Sequence, residues 1–265
     1  MSFSKFIETY LQPGDVVMVH SSYKHLWAHF NRIAPAEIIS TLKEAVTKSG
    51  GLFFPTFTYN YVRLNQVTPP FDPETTRSLT GSLTEYMRQS DGVRRTNSPT
   101  HSFAVWGSPL KDIMNFDNPD DPAGPDSPCG YVADHPKGKL LLLGTGFETL
   151  TFVHYLESYF KVPWLHHNCW THLGVEPAGI SVTGIRKLTV LPGCSKGFVH
   201  LENELAQTAQ LQSFSDTPMK GYSILPGDLL RVAKEFVTLT PWKLLCDDSA
   251  CKPCNFRRTL FHATY

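Results

Sequence analysis

The chain has 265 residues, and 41% of them are hydrophobic, so it can bury one large core or two modest ones. This composition excludes a disulfide-stabilised mini-protein and a disordered segment. The 24 basic and 24 acidic residues give a formal charge of +0, which provides no uniform field to attract nucleic acid or anionic lipid.

The first third of the chain predicts alternating helices and strands. Apolar residues at helical spacing predict a helix over Phe3–Leu11, and a β-branched run predicts a buried strand over Asp15–His20 that ends at Ser21-Ser22. A helix over Pro35–Lys48, with proline in its first turn, precedes a second buried strand over Leu52–Phe54. This order of strand, helix and strand is typical of a parallel sheet covered by helices on both faces.

The same pattern continues with a helix over Gly81–Gln89 and strands over Phe103–Trp106 and Lys139–Leu143. Between these two strands, Asn115–Gly130 contains four prolines and four aspartates without periodicity. A stretch of this length and composition predicts a long functional loop. After the last strand, a glycine-containing turn leads into a helix that begins near Thr149, where open α/β sheets usually bind ligands.

Beyond Pro163 the pattern changes to alternating apolar stretches, such as Ile180–Leu191, and to predicted helices over His200–Gln210 and Asp228–Phe236. We find no internal repeat and no Pro/Ser-rich linker in the sequence. We therefore predict one domain over residues 1–265, whose region 166–265 forms a smaller, mixed part of the same unit.

The helix after the last strand carries three polar side chains in an otherwise apolar segment: Thr151, His154 and Glu157. Spacings of three residues place them on one face of a helix. A carboxylate can orient a histidine and stabilise the imidazolium that forms when the histidine takes a proton. A core histidine satisfied by a neighbouring acid is an equally common outcome of this spacing, but the position beside the predicted ligand site favours a catalytic pair.

Four motifs in order resemble the aminoglycoside 3-N-acetyltransferase family, which is distinct from the GNAT acetyltransferases. The resemblance covers roughly residues 10–165. The motifs are Gly14–Ser22, Gly50–Thr56, Arg95–Ser102 and Leu142–Glu157. It implies an α/β/α sandwich with a mostly parallel central sheet, and it implies acetyl-CoA as the co-substrate that donates the acetyl group.

The resemblance also implies catalytic roles for the three polar residues of the helix. His154 becomes the acceptor of the amine proton, Glu157 its orienting partner, and Thr151 a donor to the thioester carbonyl. No cysteine lies within the four motifs, so we predict direct attack of a primary amine of an aminoglycoside or related amino sugar in a ternary complex. Neither the acceptor nor the acyl chain length follows from the sequence.

Two further segments are predicted to bind the cofactor. Ser21, Ser22 and the adjoining Tyr23 lie at a strand end, where free backbone N–H groups suit a phosphate or the pantetheine chain, although a plain turn also explains them. Ser98, His101 and Ser102 fall in the segment that resembles the family's CoA-side loop. The family usually has histidine where this chain has Ser98, directly before a proline.

The acceptor site is less well defined. Asp120 and Asp121 in the long loop are predicted to bind ammonium groups of the substrate, although a solvated loop face explains them equally well. Family members that act on polycationic antibiotics tend to be acidic, whereas this chain is neutral.

Two other kinds of site compete with the transferase prediction. The run Gly193-Cys194-Ser195-Lys196-Gly197 matches the nucleophile elbow of serine hydrolases, with Ser195 as nucleophile. The segments His166–His172 and Cys246–Cys254 concentrate metal-ligand types, and the second contains a pair at zinc-site spacing. Neither has a regular pair of CxxC motifs, so we assign no metal ligands; bound zinc stays an alternative, and a structural role is favoured over a catalytic one. A protein that binds CoA or an amino sugar without turnover is a third alternative.

The sequence has neither a signal peptide nor an apolar run of about 18 residues, so we predict a cytoplasmic protein with no membrane partner. Its formal charge of +0 predicts no nucleic-acid partner. Its six cysteines are too few for a disulfide framework at this length. The partner expected is a small-molecule amine, and a homo-oligomer is left open.

Overall fold

The computed structural model describes residues 1–207, 211, 213–214 and 219–262, without the side chains of the last two. Within these residues, the chain forms nine β-strands and ten α-helices. The strands are β1 (Val16–Ser21), β2 (Gly51–Pro55), β3 (Tyr61–Arg63), β4 (Val93–Arg95), β5 (Phe103–Gly107), β6 (Gly138–Leu143), β7 (Val175–Ser181), β8 (Gly184–Lys187) and β9 (Gly221–Ile224). The helices are α1 (Phe3–Glu8), α2 (Tyr23–His29), α3 (Pro35–Val46), α4 (Ser82–Arg88), α5 (Ile113–Phe116), α6 (Pro128–Asp134), α7 (Phe152–Tyr159), α8 (Phe198–Gln207), α9 (Pro226–Leu239) and α10 (Lys252–His262).

The central sheet is mixed, with strand order β4-β5-β2-β1-β6-β9. β1 pairs parallel with both β2 and β6, while the other three strand pairs of this sheet are antiparallel. The prediction of a mostly parallel sheet is therefore wrong. A parallel neighbour needs a long crossover. The short span after Arg95 instead turns the chain straight back from β4 into β5, which pairs antiparallel with β2.

Alternate residues of β1 face two separate hydrophobic cores, as expected for a strand buried on both sides. Val16 and Met18 pack into a core formed with α5 to α9, whereas Val17 and Val19 pack into a core formed with α1, α3 and α4. The predicted arrangement of helices on both faces of the sheet is therefore confirmed.

The C-terminal third adds to the first of these cores. Residues of α8 and α9 and of β9 belong to the same buried cluster as Val16 and Met18. A second, three-stranded sheet of order β3-β7-β8 lies apart from the central one. The helix predicted over His200–Gln210 corresponds to α8, which begins two residues earlier, at Phe198, and is described as far as Gln207. Residues 208–210 of the predicted helix lie outside the described part of the chain. The sequence did not predict α2, α5, α6, α10, β3, β4 or β9.

One edge of the sheet collects the segments that form the site. The parallel pairing of β1 with β6 aligns Ser21 with Leu143, so the loops after both strands emerge side by side. The antiparallel pairing of β2 with β5 brings Pro55 beside Phe103 at the same edge. No helix in the described parts of the chain has the length and apolar character needed to cross a membrane.

Candidate active site

A cleft of about 920 Å³ opens at this edge of the sheet. Its walls come from the loops after β1, β2 and β6, from the turn before β5, and from C-terminal segments around residues 170, 193 and 251. The side chains on these walls include four aromatic residues, three histidines and a few charged groups. They are Phe57, Tyr59, Tyr61, Trp170, His20, His101, His154, Arg63, Glu148 and Lys196. A cleft of this size suits a small-molecule ligand.

His154 lies on α7 and contacts both the cleft and a buried carboxylate. Its Nδ1 atom is 2.6 Å from Glu157 Oε2, and the His154 side chain is among those that line the cleft. When the Nδ1–H group donates a hydrogen bond to the carboxylate, Nε2 is the ring nitrogen left free to accept a proton. The ring edge packs against Phe198, whose centroid is 4.8 Å away, and this contact limits rotation of the imidazole. The predicted histidine–carboxylate pair is therefore present in the structure.

Glu157 is 3% exposed, and a buried carboxylate needs partners to stay charged. Its Oε1 atom accepts a hydrogen bond from Trp164 Nε1 at 2.9 Å and lies 3.4 Å from Arg257 Nη1 on α10. Burial alone would raise the pKa of the Glu157 carboxyl. The charge of Arg257, together with the hydrogen bonds from His154 and Trp164, outweighs burial and holds this pKa below its usual value.

Thr151 directly precedes α7 and lines the cleft beside His154. Its side chain makes no capping hydrogen bond to α7, so the helix does not use the hydroxyl at its own N-terminus. Thr151 and His154 thus face the cleft together, while Glu157 lies behind the imidazole. The predicted stripe of three polar residues therefore has two members at the cleft and one supporting member.

His101 lies on a different wall of the cleft, in the turn before β5, and has no carboxylate partner among the described residues. Its Nδ1 atom contacts Thr100 Oγ1 at 3.0 Å, and the rings of Phe57 and Tyr59 pack around it with centroids 4.6 and 5.4 Å away. Burial, with a smaller contribution from His154, lowers the pKa of His101 to about 3. His101 is therefore neutral near pH 7.

His20 is a further cleft residue that sequence reasoning missed as a site residue. Burial lowers its pKa to about 3, and its Nε2 atom and the neighbouring Ser21 Oγ are buried without a hydrogen-bond partner in the described structure. Buried polar atoms of native proteins are normally paired, so two such atoms at a cleft indicate where a bound ligand would donate or accept hydrogen bonds. The sequence signal that could have identified His20 as a site residue is its position at the end of a predicted buried strand.

The residues predicted to bind the cofactor separate into two groups. Ser21, Ser22 and Tyr23 line a smaller cleft of about 330 Å³, which shares four lining residues with the main one: Ser21, Thr80, Gly81 and Thr84. The two clefts therefore form neighbouring parts of one opening.

Ser98 and Ser102 are buried within the loop before β5 and do not line either cleft. Ser98 Oγ accepts the His101 N–H at 3.1 Å, and Ser102 Oγ donates to Thr56 O at 2.9 Å while accepting from Arg95 Nε at 2.9 Å. These contacts place the two serines as supports of the turn that carries His101.

The predicted ammonium-binding aspartates, Asp120 and Asp121, are not among the residues that line either cleft. Asp120 lies 3.5 Å from Arg186 on β8, and burial raises the pKa of Asp121. Among the described lining residues, the carboxylate at the cleft is Glu148, which follows β6. Its Oε2 atom lies 3.8 Å from Lys220 Nζ.

The alternative of a nucleophile elbow at Ser195 is not supported by the structure. An elbow requires a strand directly before the serine, but β8 ends at Lys187 and residues 188–195 are irregular. Ser195 Oγ donates to the Glu148 backbone carbonyl at 2.8 Å rather than to a histidine. A Cβ on Gly193 would meet the Arg257 guanidinium at 2.3 Å, and one on Gly197 would meet Leu244 O at 2.3 Å. These two glycines are thus explained by close packing.

The two metal-ligand segments differ in what the fold does with them. Among the described residues, one group of histidine, cysteine or acidic side chains can hold a metal ion: Cys194 together with Cys246, Cys251 and Cys254. The described segment from His166 to His172 provides no such group; His166 Nδ1 instead lies 3.2 Å from Thr189 O.

Trp164 and Arg257 are functional candidates that sequence reasoning missed. Arg257 lies 100 residues beyond Glu157 in the chain, so no local pattern connects them. Trp164 lies seven residues beyond Glu157 and donates its indole N–H to it. The burial of Arg257 is what makes it a candidate, and the sequence does not show that burial.

The fold and the site define a class: three-layer α/β proteins in which a helix after a central strand presents a histidine, held by a buried carboxylate, to a ligand-sized cleft. The model for the family described as aminoglycoside 3-N-acetyltransferase matches residues 18–215 of the chain. The chain belongs to this family.

Curated relatives support the assignment over part of their length. Aminoglycoside N(3)-acetyltransferase VIII of Streptomyces fradiae is 30% identical over 172 residues, which are 57% of this chain and 57% of that protein. The SPbeta prophage-derived aminoglycoside N(3')-acetyltransferase-like protein YokD of Bacillus subtilis (strain 168) is 27% identical over 58% of this chain and 61% of its own. The matched region thus spans about three fifths of these relatives.

Solved structures share the fold over nearly the whole chain. The apoenzyme of aminoglycoside acetyltransferase AAC(3)-IVa has a TM-score of 0.77 at 20% identity, covering 98% of this chain and 99% of that one. The binary complex of AAC-IIIb with CoASH has a TM-score of 0.70 at 20% identity, covering 88% and 95%. The C-terminal third, where sequence similarity fades, is therefore part of the shared fold.

Proposed function

We propose that the chain transfers the acetyl group of acetyl-CoA to a primary amine of an aminoglycoside or related amino sugar, by direct attack in a ternary complex. The observation that carries this proposal is the His154–Glu157 pair, whose imidazole faces the cleft while its carboxylate is buried. Family membership supports the reaction class. We also propose that residues 1–265 act as a single cytoplasmic domain, supported by a core that joins residues from Val16 to Cys254.

The first chemical requirement is an uncharged amine, because an ammonium group has no lone pair with which to attack a thioester. His154 Nε2 accepts the amine proton as the nitrogen bonds to the acetyl carbon. The imidazolium that forms is stabilised by Glu157, which Arg257 and Trp164 keep in its charged form. This stabilisation grows as the proton moves, so it lowers the barrier.

The second requirement is a donor to the thioester oxygen, which gains charge in the tetrahedral intermediate. Thr151 stands beside His154 at the cleft and has a hydroxyl that does not cap α7. We assign this donation to Thr151. The C–S bond then breaks, the amide remains on the acceptor, and the thiolate of CoA leaves. The proton held by His154 is available to that thiolate.

The binding of the two substrates is assigned to the two connected clefts. The smaller cleft, lined by Ser21, Ser22 and Tyr23, suits the pantetheine chain of acetyl-CoA. A protein of similar fold, AAC-IIIb, has been solved with CoASH. The main cleft suits the acceptor, and an AAC(3)-IVa variant of similar fold has been solved with a gentamicin. The carboxylate of this cleft, Glu148, lies beside Lys220, which favours an acceptor with few ammonium groups.

Acceptor-dependent release of CoA, followed by chromatography, tests the reaction. The panel should include gentamicin, apramycin and simple amino sugars, with mass spectrometry of the acceptor to identify acetylation. We expect CoA release and an acetylated product with at least one primary amine, and loss of both with His154→Ala. Acetyl-CoA hydrolysis without an acetylated product would contradict the proposal.

A covalent route through Cys194, which also lines the cleft, makes a different kinetic prediction. Direct transfer requires both substrates to be bound before CoA is released, so double-reciprocal plots at several fixed acceptor concentrations should intersect. An acyl-enzyme route would give parallel plots and an acetylated protein in the absence of acceptor. Either of the latter results would overturn the ternary-complex mechanism.

A further inference from the structure

Four of the six cysteines come together beside the cleft from three separate parts of the chain. Cys194 lies in the loop before α8, Cys246 follows the short helix at Pro241–Leu244, and Cys251 and Cys254 lie at the start of α10. Their sulfur atoms all lie within 4.8 Å of one another, and the Cys194 and Cys246 sulfurs are 4.0 Å apart. The two remaining cysteines, Cys129 and Cys169, belong to other parts of the structure and take no part in this group.

The spacing of the four sulfurs fits a tetrahedral metal site. Zinc binds cysteine sulfur at about 2.3 Å, so the sulfurs of a regular tetrahedron are about 3.8 Å apart. A disulfide requires a sulfur–sulfur distance of about 2.05 Å, and all six cysteines are free thiols in this structure. Four thiols that converge on one point, rather than forming two bonded pairs, are typical of a structural zinc site.

The backbone of the cluster is also held in place by a residue outside it. Arg258 donates a hydrogen bond to the backbone carbonyl of Cys246, which fixes that turn. Such outer contacts orient metal ligands and lower the cost of their negative charge.

The cluster joins elements that build one wall of the cleft. Cys194 and Cys251 both line the cleft, and Cys254 lies three residues before Arg257 on α10. The loop at Gly193–Gly197 contacts Arg257 and the backbone at Leu244 so closely that side chains at its two glycines would collide with them. A bond network at the four sulfurs would therefore fix both the loop and the helix whose arginine reaches Glu157.

We propose that Cys194, Cys246, Cys251 and Cys254 bind one zinc ion with a structural role. Binding replaces the four thiol protons, which are released to solvent, and the resulting site carries a net charge of −2. Because all four positions are filled by protein sulfur, the ion has no open position for substrate or water. The zinc stabilises the C-terminal wall and takes no part in acetyl transfer, so this proposal stands independently of the proposed reaction.

The metal content of the purified chain tests the proposal directly. Protein purified under reducing conditions without chelator or metal-affinity resin should contain about one zinc per chain by elemental analysis. Cys251→Ser and Cys194→Ser, at the two half-buried positions, should lower this to a small fraction of one equivalent. Cys129→Ala is the matched control, because it removes a cysteine outside the cluster, and it should retain the full equivalent.

Cobalt substitution gives a second readout that does not depend on activity. Exchange of zinc for Co²⁺ should produce the sulfur-to-cobalt charge-transfer absorption and the d–d bands of a tetrahedral site, and Cys251→Ser should lose or weaken them. Removal of the metal should lower Tm by about 10 °C, because metal binding energy contributes to folding. A folded wild-type protein with no metal, two disulfides among these four cysteines, or full metal retention in both serine variants would overturn the proposal.

Discussion

His154 and His101 face the same cleft from different walls, but only His154 has a carboxylate behind it in the described structure. On the α7 wall, Glu157 contacts the imidazole at 2.6 Å and is kept charged by Arg257. On the other wall, His101 is surrounded by aromatic rings, and burial lowers its pKa to about 3. The comparison shows that burial without a charged partner makes a histidine a poor proton acceptor, whereas a carboxylate held charged behind an imidazole can stabilise the imidazolium that forms when a proton arrives.

The largest expected effect comes from removing each imidazole in turn, which tests whether only the histidine with a carboxylate partner contributes strongly to kcat. His154→Ala should lower kcat by about 10²–10⁴-fold, the usual contribution of a positioned acid–base group, with little change in the affinity for acetyl-CoA. His101→Ala should lower kcat less than about tenfold, because a neutral imidazole with that pKa transfers no proton near pH 7. Steady-state kinetics, corrected for the folded fraction measured by circular dichroism, compare the two.

If His154 were only a satisfied core residue, its removal would reduce stability first. Activity would then fall in proportion to the folded fraction, and turnover per folded molecule would stay at the wild-type value. That outcome, or equal kcat losses in the two alanine variants, would mean that the carboxylate does not distinguish the two walls.

The second change keeps the histidine and alters its partner. Glu157→Gln should lower kcat by about 10–10²-fold, because an amide can still accept the Nδ1 hydrogen bond but cannot offset the imidazolium charge. The KM for acetyl-CoA should remain close to the wild-type value, since Glu157 does not line the cleft. A kcat within about twofold of wild type would show that the charge of Glu157 is not needed.

The third change removes the cation that keeps Glu157 charged. Arg257→Met should lower Tm by about 10 °C at pH 7, because breaking a buried ion pair leaves an uncompensated charge. Arg231→Met is the matched control, since Arg231 pairs with Asp228 at the surface, and it should change Tm by at most about 3 °C.

The pH dependence of the Arg257→Met effect has a definite sign. In the wild-type protein the folded-state pKa of Glu157 is lowered, so its stabilisation is present above the unfolded carboxyl pKa of about 4.3 and is lost as the pH falls through the folded value. Without Arg257, burial is the dominant influence on this pKa and the charged form becomes costly. The Tm difference between the two proteins should therefore be largest at neutral pH and shrink below about pH 4.5. A Tm difference that grows with acidity would contradict this assignment.

The smallest expected effect concerns the acceptor. Glu148→Gln should raise the acceptor KM by about twofold to fivefold, because an exposed carboxylate contributes at most about 1 kcal/mol to binding an ammonium group. Asp120→Asn and Asp121→Asn should leave this KM unchanged, since neither residue lines the cleft. Initial rates at saturating acetyl-CoA measure the acceptor KM of all three variants. A larger KM change in the aspartate variants than in Glu148→Gln would show that the long loop, and not Glu148, binds the ammonium group.

Local patterns account for the parts of the molecule that the sequence predicted well. The β-branched run of β1 and the apolar run of β6 predicted two buried strands, and the three-residue spacing from His154 to Glu157 predicted a contact within one helix. The direction of a strand, however, depends on how the chain returns to the sheet. The return from β4 to β5 is too short for a crossover, and no hydrophobic pattern in either strand shows this.

Contacts between distant residues account for most of what the sequence did not predict. Arg257 meets Glu157 across 100 positions, and Cys194 meets Cys246 across 52. The glycines around Ser195 match a hydrolase motif by spacing alone, whereas their surroundings in the fold explain them by close packing. Residue type and spacing predicted the His154–Glu157 contact, whose partners share one helix, and missed contacts whose partner is supplied by tertiary structure.

The central claim is that His154 and Glu157 act as one unit, and a double-mutant cycle on kcat tests it most directly. We expect Glu157→Gln to cost about 10–10²-fold in the wild-type background and less than about threefold when His154 is already alanine, since the carboxylate acts only through the imidazole. Equal losses from Glu157→Gln in both backgrounds would contradict the account, because they would show that Glu157 contributes independently of His154.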